Sequence, residues 1–320
     1  MYLSIIAPGA EKGSLEIGVA LRGTKVSSFG RQTSDRIVVY NATAEDYYIR
    51  MTLTSIRSLR KFNSKVPVRV FVYGSVHPKT KKKFKDLKVE VSEQVRPKSE
   101  ADPFYLKWLS LKLVSQETVL AIDADTFFFD DVEKIFDSHQ SCDFYARQEF
   151  GFEPYFSMCL IGTRVLATIL DVKILDRIRR AMRAKASPVF NSGMILFNRW
   201  SHKRLIGPDD VLFETRQRFR KLRLPLPFPE PKMSEQILLS VALGRVKGLK
   251  VGFIDYQLAP FYIEWVAKVV RKPGVVIHTW GMYYEFALIE FRGRRALKEL
   301  TPLAKYYGHY RPNGQAQRVR

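Results

Sequence analysis

The run Leu120-Ala-Ile-Asp-Ala-Asp-Thr126 carries an apolar strand into two aspartates, Asp123 and Asp125. On extended backbone, positions i and i+2 point to the same face. In an open parallel sheet, ligands bind beyond the carboxyl ends of the strands. Two carboxylates there repel one another unless a cation lies between them. A divalent metal meets that need, and a bound pyrophosphate would complete its oxygen ligands. The alternative is a pair of solvated aspartates opening a turn.

Three further patterns carry side chains suited to a site. In Val276-Ile-His-Thr-Trp-Gly281 a histidine closes a second apolar run, and of the 5 histidines only His278 does so. A neutral imidazole is a fitting third metal ligand; a core histidine satisfied by backbone is the other reading, and Trp280 reads equally as packing. In Phe190-Asn-Ser-Gly-Met-Ile-Leu-Phe-Asn198, Asn191 and Gly193 precede an apolar strand. Gly193 allows close backbone approach and Asn191 offers donors and acceptors to hydroxyl groups, although a plain turn fits as well. In Met233-Ser-Glu-Gln-Ile-Leu-Leu239, Ser234 suits a helix cap, with Glu235 and Gln236 in the first turn. Acidic residues are favoured there whatever their function.

The elements that must position these residues alternate. Strands are expected at residues 36–40, 66–73, 88–91 and 118–122, and helices at 45–61 and 105–115. Ile49, Leu53, Ile56 and Leu59 recur at helical spacing, opposite Arg50, Arg57 and Lys61. The alternation predicts a doubly wound, mostly parallel α/β sheet flanked by helices. The second half is less regular. Strands are expected at 142–147, 194–197 and 275–277 and helices at 163–186, 209–222 and 233–243, with a Pro-rich connector at 224–231. We divide the chain into an extension at 1–35, one compact domain at 36–285 and a basic tail at 286–320. The domain has a nucleotide-binding half at 36–150 and an acceptor half at 151–285.

Its 320 residues are 46% hydrophobic and 27% charged, an ordinary globular composition with length enough for a large core. Cys142 and Cys159 provide neither a disulfide framework nor a zinc spacing. The first apolar stretch is too short for a signal peptide and lacks a basic region before it. No apolar run reaches the roughly 20 residues that span a bilayer. The expectation is a cytoplasmic protein, soluble or peripheral.

Taken in order, the four patterns resemble the retaining glycosyltransferases of the glycogenin and lipooligosaccharide galactosyltransferase family, over residues 36–285. That resemblance implies the GT-A, Rossmann-like fold and a nucleotide-sugar donor, a UDP-sugar first among them. It implies that Asp123, Asp125 and His278 hold Mn²⁺ or Mg²⁺ against the donor diphosphate. By the same resemblance Thr43 and Tyr47 meet the nucleotide, with Tyr47 as a platform for the base. Lys107 takes the place of a basic residue near the diphosphate and sugar. Asn191 and Gly193 contact the sugar or acceptor, and Glu235 and Gln236 match an acidic-Gln pair at the reacting face. The sequence departs from the family in having Glu rather than Asp at 235, and Met-Tyr-Tyr-Glu after Gly281 in place of Lys-Pro-Trp. Retention and inversion both remain open.

Charge points to the acceptor. Lys and Arg number 53 against 32 Asp and Glu, a net +21. The excess is clustered: six lysines in residues 79–88, five basic residues in 177–185 and five in 216–223. Any one run fits a solvated helix face, but together they favour an anionic partner. Duplex DNA carrying hydroxymethylated bases is the first reading, with the target base flipped out. An acidic membrane surface with a lipid-linked or lipopolysaccharide glycan is the second. A non-catalytic nucleic-acid-binding protein would not need the paired aspartates. A nucleotidyltransferase would need a Gly-rich phosphate loop after the first strand, and none is there.

Overall fold

The computed structural model describes residues 35–95, 103–148, 179–185, 190–206, 211–221, 235–262, 265 and 270–279. The expected extension (except Asp35), the tail, the Pro-rich connector, Ser234, Trp280, Cys159 and most of the helix expected at 163–186 lie outside these residues.

The first half winds as the alternation requires. Strand β1 (Arg36–Thr43) leads to helix α1 (Asp46–Phe62), then β2 (Val68–Tyr73), α2 (Pro78–Asp86), β3 (Glu90–Gln94), α3 (Pro103–Leu111) and β4 (Thr118–Ile122). All three pairings among these strands are parallel. After them come β5 (Thr126–Phe128), α4 (Glu133–Ser138), β6 (Phe144–Gln148) and β7 (Phe190–Phe197). Helices α5 (Ser201–Ile206), α6 (Val211–Lys221) and α7 (Glu235–Arg245) follow, then β8 (Val251–Phe253) and β9 (Val276–His278).

The main sheet has the order β3-β2-β1-β4-β7-β6-β8. Strand β7 is antiparallel to both neighbours, whereas β6 and β8 are parallel. All strands except β7 therefore run the same way, as the mostly parallel expectation required. The chain moves outward from β1 to β3 and then crosses back to β4 on the other side of β1. That reversal is a topological switch point, where the carboxyl ends of β1 and β4 leave a crevice.

Alternation along β1 explains the two layers. Val38, Tyr40 and Ala42 face α1 through Ile49, Leu53 and Ile56. Ile37 and Val39 face the other layer, with Trp108 and Leu111 of α3, Leu205 of α5 and Leu239 of α7. Asp46 in the first turn of α1, with Arg60 and Lys61 in its last, suits the helix dipole.

One expectation is corrected. Asn191 and Gly193 do not form a turn before a strand; they lie inside β7, and every residue of that strand is buried. The expected late strand is β9, which pairs antiparallel with β5 in a separate two-stranded ribbon. Strands β5 and β8, three residues each, carry too short a pattern to be read from sequence. Helix α2 shows in the sequence only as a run of lysines, because Phe84 is its one buried residue.

Candidate active site

The two aspartates follow β4 directly, at the switch point. Asp123 N–H donates to the Gly193 carbonyl at 2.8 Å, extending the β4–β7 ladder by one step. A neutral chain of hydroxyls holds the turn from behind. Tyr40 OH lies 2.9 Å from Ser55 Oγ, Ser55 Oγ lies 2.7 Å from Thr126 Oγ1, and Thr126 Oγ1 donates to the Asp123 carbonyl at 3.0 Å. Burial pushes the Tyr40 phenol well above its ordinary range, so this chain stays uncharged.

The β5–β9 ribbon brings the histidine in. Thr126 is registered with His278. Thr279 donates to the Asp125 carbonyl from both N–H, at 3.0 Å, and Oγ1, at 2.8 Å. His278 Nε2 then lies 3.2 Å from Asp125 Oδ1. One ligand atom from each of Asp123, Asp125 and His278 falls within 4.8 Å of the other two.

Space for the imidazole comes from a break in the β6–β7 ladder. Ala146 pairs with Ile195, but the next residue, Arg147, pairs with Asn191. Ser192, Gly193 and Met194 thus have no partner on β6, a bulge of the kind that re-aims groups beside sites. Asn191 Oδ1 accepts the Gly193 N–H at 2.9 Å and so holds the bulge. The His278 ring lies against the Gly193 Cα. A Cβ at 193 would come within 2.7 Å of Nδ1 and closer to Cε1 and Nε2. Glycine is needed here for close approach; any side chain would expel the ring.

Lys107 enters from α3. Its Nζ donates to Asp123 Oδ1 at 2.7 Å and also to the Ser192 carbonyl. Its side chain is 6% exposed, against 37% for Asp123. The helix that carries it is pinned by Tyr73, whose OH donates to the Leu106 carbonyl at 2.7 Å and lies 2.8 Å from Ser110 Oγ. Burial raises the Tyr73 phenol to about 12.

The structure therefore gathers Asp123, Asp125, His278, Lys107, Asn191 and Gly193. Thr43 ends β1, and its buried Oγ1 has no hydrogen-bond partner; the same holds for Asn41 Oδ1 on the same strand. Tyr47 is only 5% exposed and packs with Met51, Ala124, Phe127, Tyr262 and Ile277. Its ring is enclosed by that cluster rather than open to solvent. Gln236 is half-buried in the first turn of α7, and the Glu235 side chain lies outside the described set. No described hydrogen bond or ion pair joins Gln236 to the cluster.

Arg147 escaped the sequence reading. It is 5% exposed, lies opposite Asn191, and holds its guanidinium 4.9 Å above the Phe261 ring. Phe261 in turn lies 6.0 Å from the His278 ring. The available signal was a basic residue near the end of the apolar strand Phe144-Tyr-Ala-Arg-Gln148.

Comparison with solved structures agrees with the winding. The galactosyltransferase LgtC, solved with donor and acceptor sugar analogs, superposes with a TM-score of 0.53 at 12% identity, covering 83% of this chain and 95% of that one. The fold is GT-A. The bifunctional glycosyltransferase WbbM gives a TM-score of 0.54 at 14% identity over 82% of this chain and 51% of its own. A family model described as a putative mannosyltransferase matches residues 37–141, the stretch from β1 to just past α4. No curated protein matches in sequence. Among the described residues, no helix is long and apolar enough to cross a membrane.

Proposed function

We propose that the protein is a metal-dependent glycosyltransferase that moves a sugar from a nucleotide-diphosphate donor to an acceptor hydroxyl. The observation that carries this reading is the set of two carboxylates and an imidazole within 4.8 Å at the switch point of a GT-A sheet. The donor set suits Mn²⁺ or Mg²⁺. The ring seated on Gly193 also fits, since it fixes the imidazole against a carboxylate without needing a charge on it. Asp123, Asp125 and His278 would hold the ion, which when bound neutralises charge developing on the departing diphosphate. Lys107 adds a positive charge beside the same phosphates. Thr43 meets the nucleotide, and Asn191 with the Gly193 backbone lines the sugar side. Tyr47 supports the aspartate turn. Glu235 or Gln236 would present an oxygen to the oxocarbenium-like sugar, and in an inverting enzyme Glu235 would be the base for the acceptor hydroxyl.

A UDP-sugar is the first donor to test, and a mannosyl donor the second, because of the putative-mannosyltransferase match. For the acceptor, duplex DNA with hydroxymethylated bases is supported by exposed cations: Lys79, Lys81, Lys82, Lys83, Lys85 and Lys88 around α2, and Arg180, Arg183 and Lys185 in the stretch that touches α7. A saccharide acceptor at an acidic membrane surface is the second reading, favoured by the acceptor sugar analog bound to LgtC. The test is a screen of nucleotide sugars with Mn²⁺, alone, with hydroxymethylated DNA, and with acidic liposomes carrying a lipid-linked glycan. Donor turnover abolished by a chelator and restored by metal is expected. Full turnover in excess chelator would overturn the metal-dependent reading.

A further inference from the structure

Helices α1 and α2 end near one another, and Arg60 knots the two ends together. Its Nε donates to the Leu87 carbonyl at 2.8 Å and its Nη1 to the Val66 carbonyl at 2.9 Å. Nη1 also donates to the Asn63 carbonyl and Nη2 to the Lys88 carbonyl, each at 3.2 Å. Around this knot Lys61, Lys65, Lys85 and Lys88 are exposed, and their ammonium groups have no hydrogen bond or ion pair among the described residues. Exposed Arg57 lies one turn before Lys61, and one exposed acid, Asp86, ends α2. Phe62 continues the apolar spacing of Ile56 and Leu59, yet it is 45% exposed. We propose that this corner docks the protein on an anionic lipid surface, with the lysines on the headgroups and Phe62 in the boundary below them. The proposal deepens the membrane reading of the acceptor given above and does not depend on the metal site.

The closure of α2 supports a role for charge here. Lys88 N–H donates to the Lys85 carbonyl at 2.9 Å and Val89 N–H to the Phe84 carbonyl at 3.1 Å. Lys88 itself sits in the left-handed region, with φ 54°. Glycine is the usual residue at that position of this helix ending. A lysine there costs stability and keeps a cation at the corner. Phe62 favours lipid over a duplex, because an aromatic ring beside lysines suits a membrane interface and has no part in phosphate contacts. The guanidinium fork of Arg60, better matched to nucleic acid than an ammonium, is spent on backbone carbonyls. Topology adds the orientation. The corner lies at the amino ends of β2 and β3, whereas Asp123 and Asp125 follow the carboxyl end of β4, which runs the same way. The six residues of β2 span about 20 Å. A bilayer at the corner therefore leaves the aspartates facing away from it, so the acceptor is an outer sugar of a membrane glycan rather than one next to its lipid.

Sedimentation of the full chain with phosphatidylserine–phosphatidylcholine vesicles, and with phosphatidylcholine alone, tests the docking. The wild type should bind only the acidic vesicles, and less as salt rises. Lys88→Gly should weaken binding about fivefold, the effect of one lysine near such a surface. Its thermal midpoint should hold or rise, so the loss cannot be misfolding. Lys61→Ser, Lys65→Ser, Lys85→Ser and Lys88→Gly together should weaken binding by about a hundredfold or more. Phe62→Ser should weaken it about tenfold and leave binding to duplex DNA as it was. Unchanged vesicle binding in the quadruple variant would overturn the proposal. Equal losses on vesicles and duplex DNA, with no effect of Phe62→Ser, would also overturn it and make the corner a polynucleotide surface. Donor turnover by the wild type without vesicles reads the transferase separately; its absence would overturn that reading and leave the docking surface standing.

Discussion

The two edges of the main sheet solve the same electrostatic problem differently. At the amino edge, Arg36 bridges two carboxylates, with Nη1 at 2.7 Å from Glu133 and 2.7 Å from Asp137. At the carboxyl edge, Asp123 meets Lys107 and Asp125 meets His278. The histidines contrast likewise. His202, near the amino edge, is fully buried, and its Nε2 donates to the Val114 carbonyl at 3.2 Å. Burial holds it down to about 4. His278 is also buried, though less completely, and it faces a carboxylate. The amino edge is closed by its own side chains, whereas the carboxyl edge is arranged so that a ligand can complete it.

The contrast can be broken most sharply at Asp125. Asp125→Asn should lower transfer by about a thousandfold or more, of the order expected when an electrostatic centre is lost. The thermal midpoint should hardly change. A variant retaining a tenth of the activity would put Asp125 on a par with the amino-edge carboxylates. Chelation of the wild type should reproduce the loss reversibly.

Acid should strike the other edge. The folded pKa of His202, about 4, lies below its ordinary 6.5, so the folded state prefers the neutral ring. This stability is complete above pH 6.5 and is lost as pH falls toward 4. The cost is about 1.4 kcal/mol per pH unit, or roughly 3 kcal/mol in all. Urea denaturation from pH 7 to 4 should show this slope, and His202→Asn should remove it. An unchanged slope in the variant would assign the acid sensitivity elsewhere.

Gly193→Ala should cost about 1–3 kcal/mol through overpacking. It should also weaken Mn²⁺ binding, because the ring must leave its seat; normal binding with normal stability would mean that the ring has another resting place. Arg36→Ala should be the mildest, about 1 kcal/mol or less for a half-exposed bridge. Metal dependence should stay as in the wild type, and any change in it would blur the distinction between the edges.

Much of this was legible in the sequence. The continuous apolar run ending in Asp-x-Asp identified β4 and its exit, and the 3.6-residue period of α1 identified its buried face, because such patterns are local. The Asn191–Gly193 bulge was not legible: Asn-Ser-Gly reads as a turn before the apolar run at 194–197, and only pairing with β6 reveals the skipped register. The packing of Tyr47 against Ala124 and Ile277 was not legible either, because position after a strand says nothing of what closes around the ring. Arg147 gave almost no signal, since one basic residue in a strand is ordinary until Phe261 arrives beneath it.

By itself, then, the sequence determined the winding of the first half, the residue types of the site and the excess of positive charge. Each of these is carried by composition or by neighbours within a few residues. Tertiary structure alone decided that His278 belongs with Asp125. The two are joined by three-residue strands, β5 and β9, whose pairing bridges about half the chain. Such short strands have little preference of their own, and their pairing depends on the core that closes around them. It also decided that Lys107 reaches Asp123, because a helix and a strand exit meet there only once the sheet has formed.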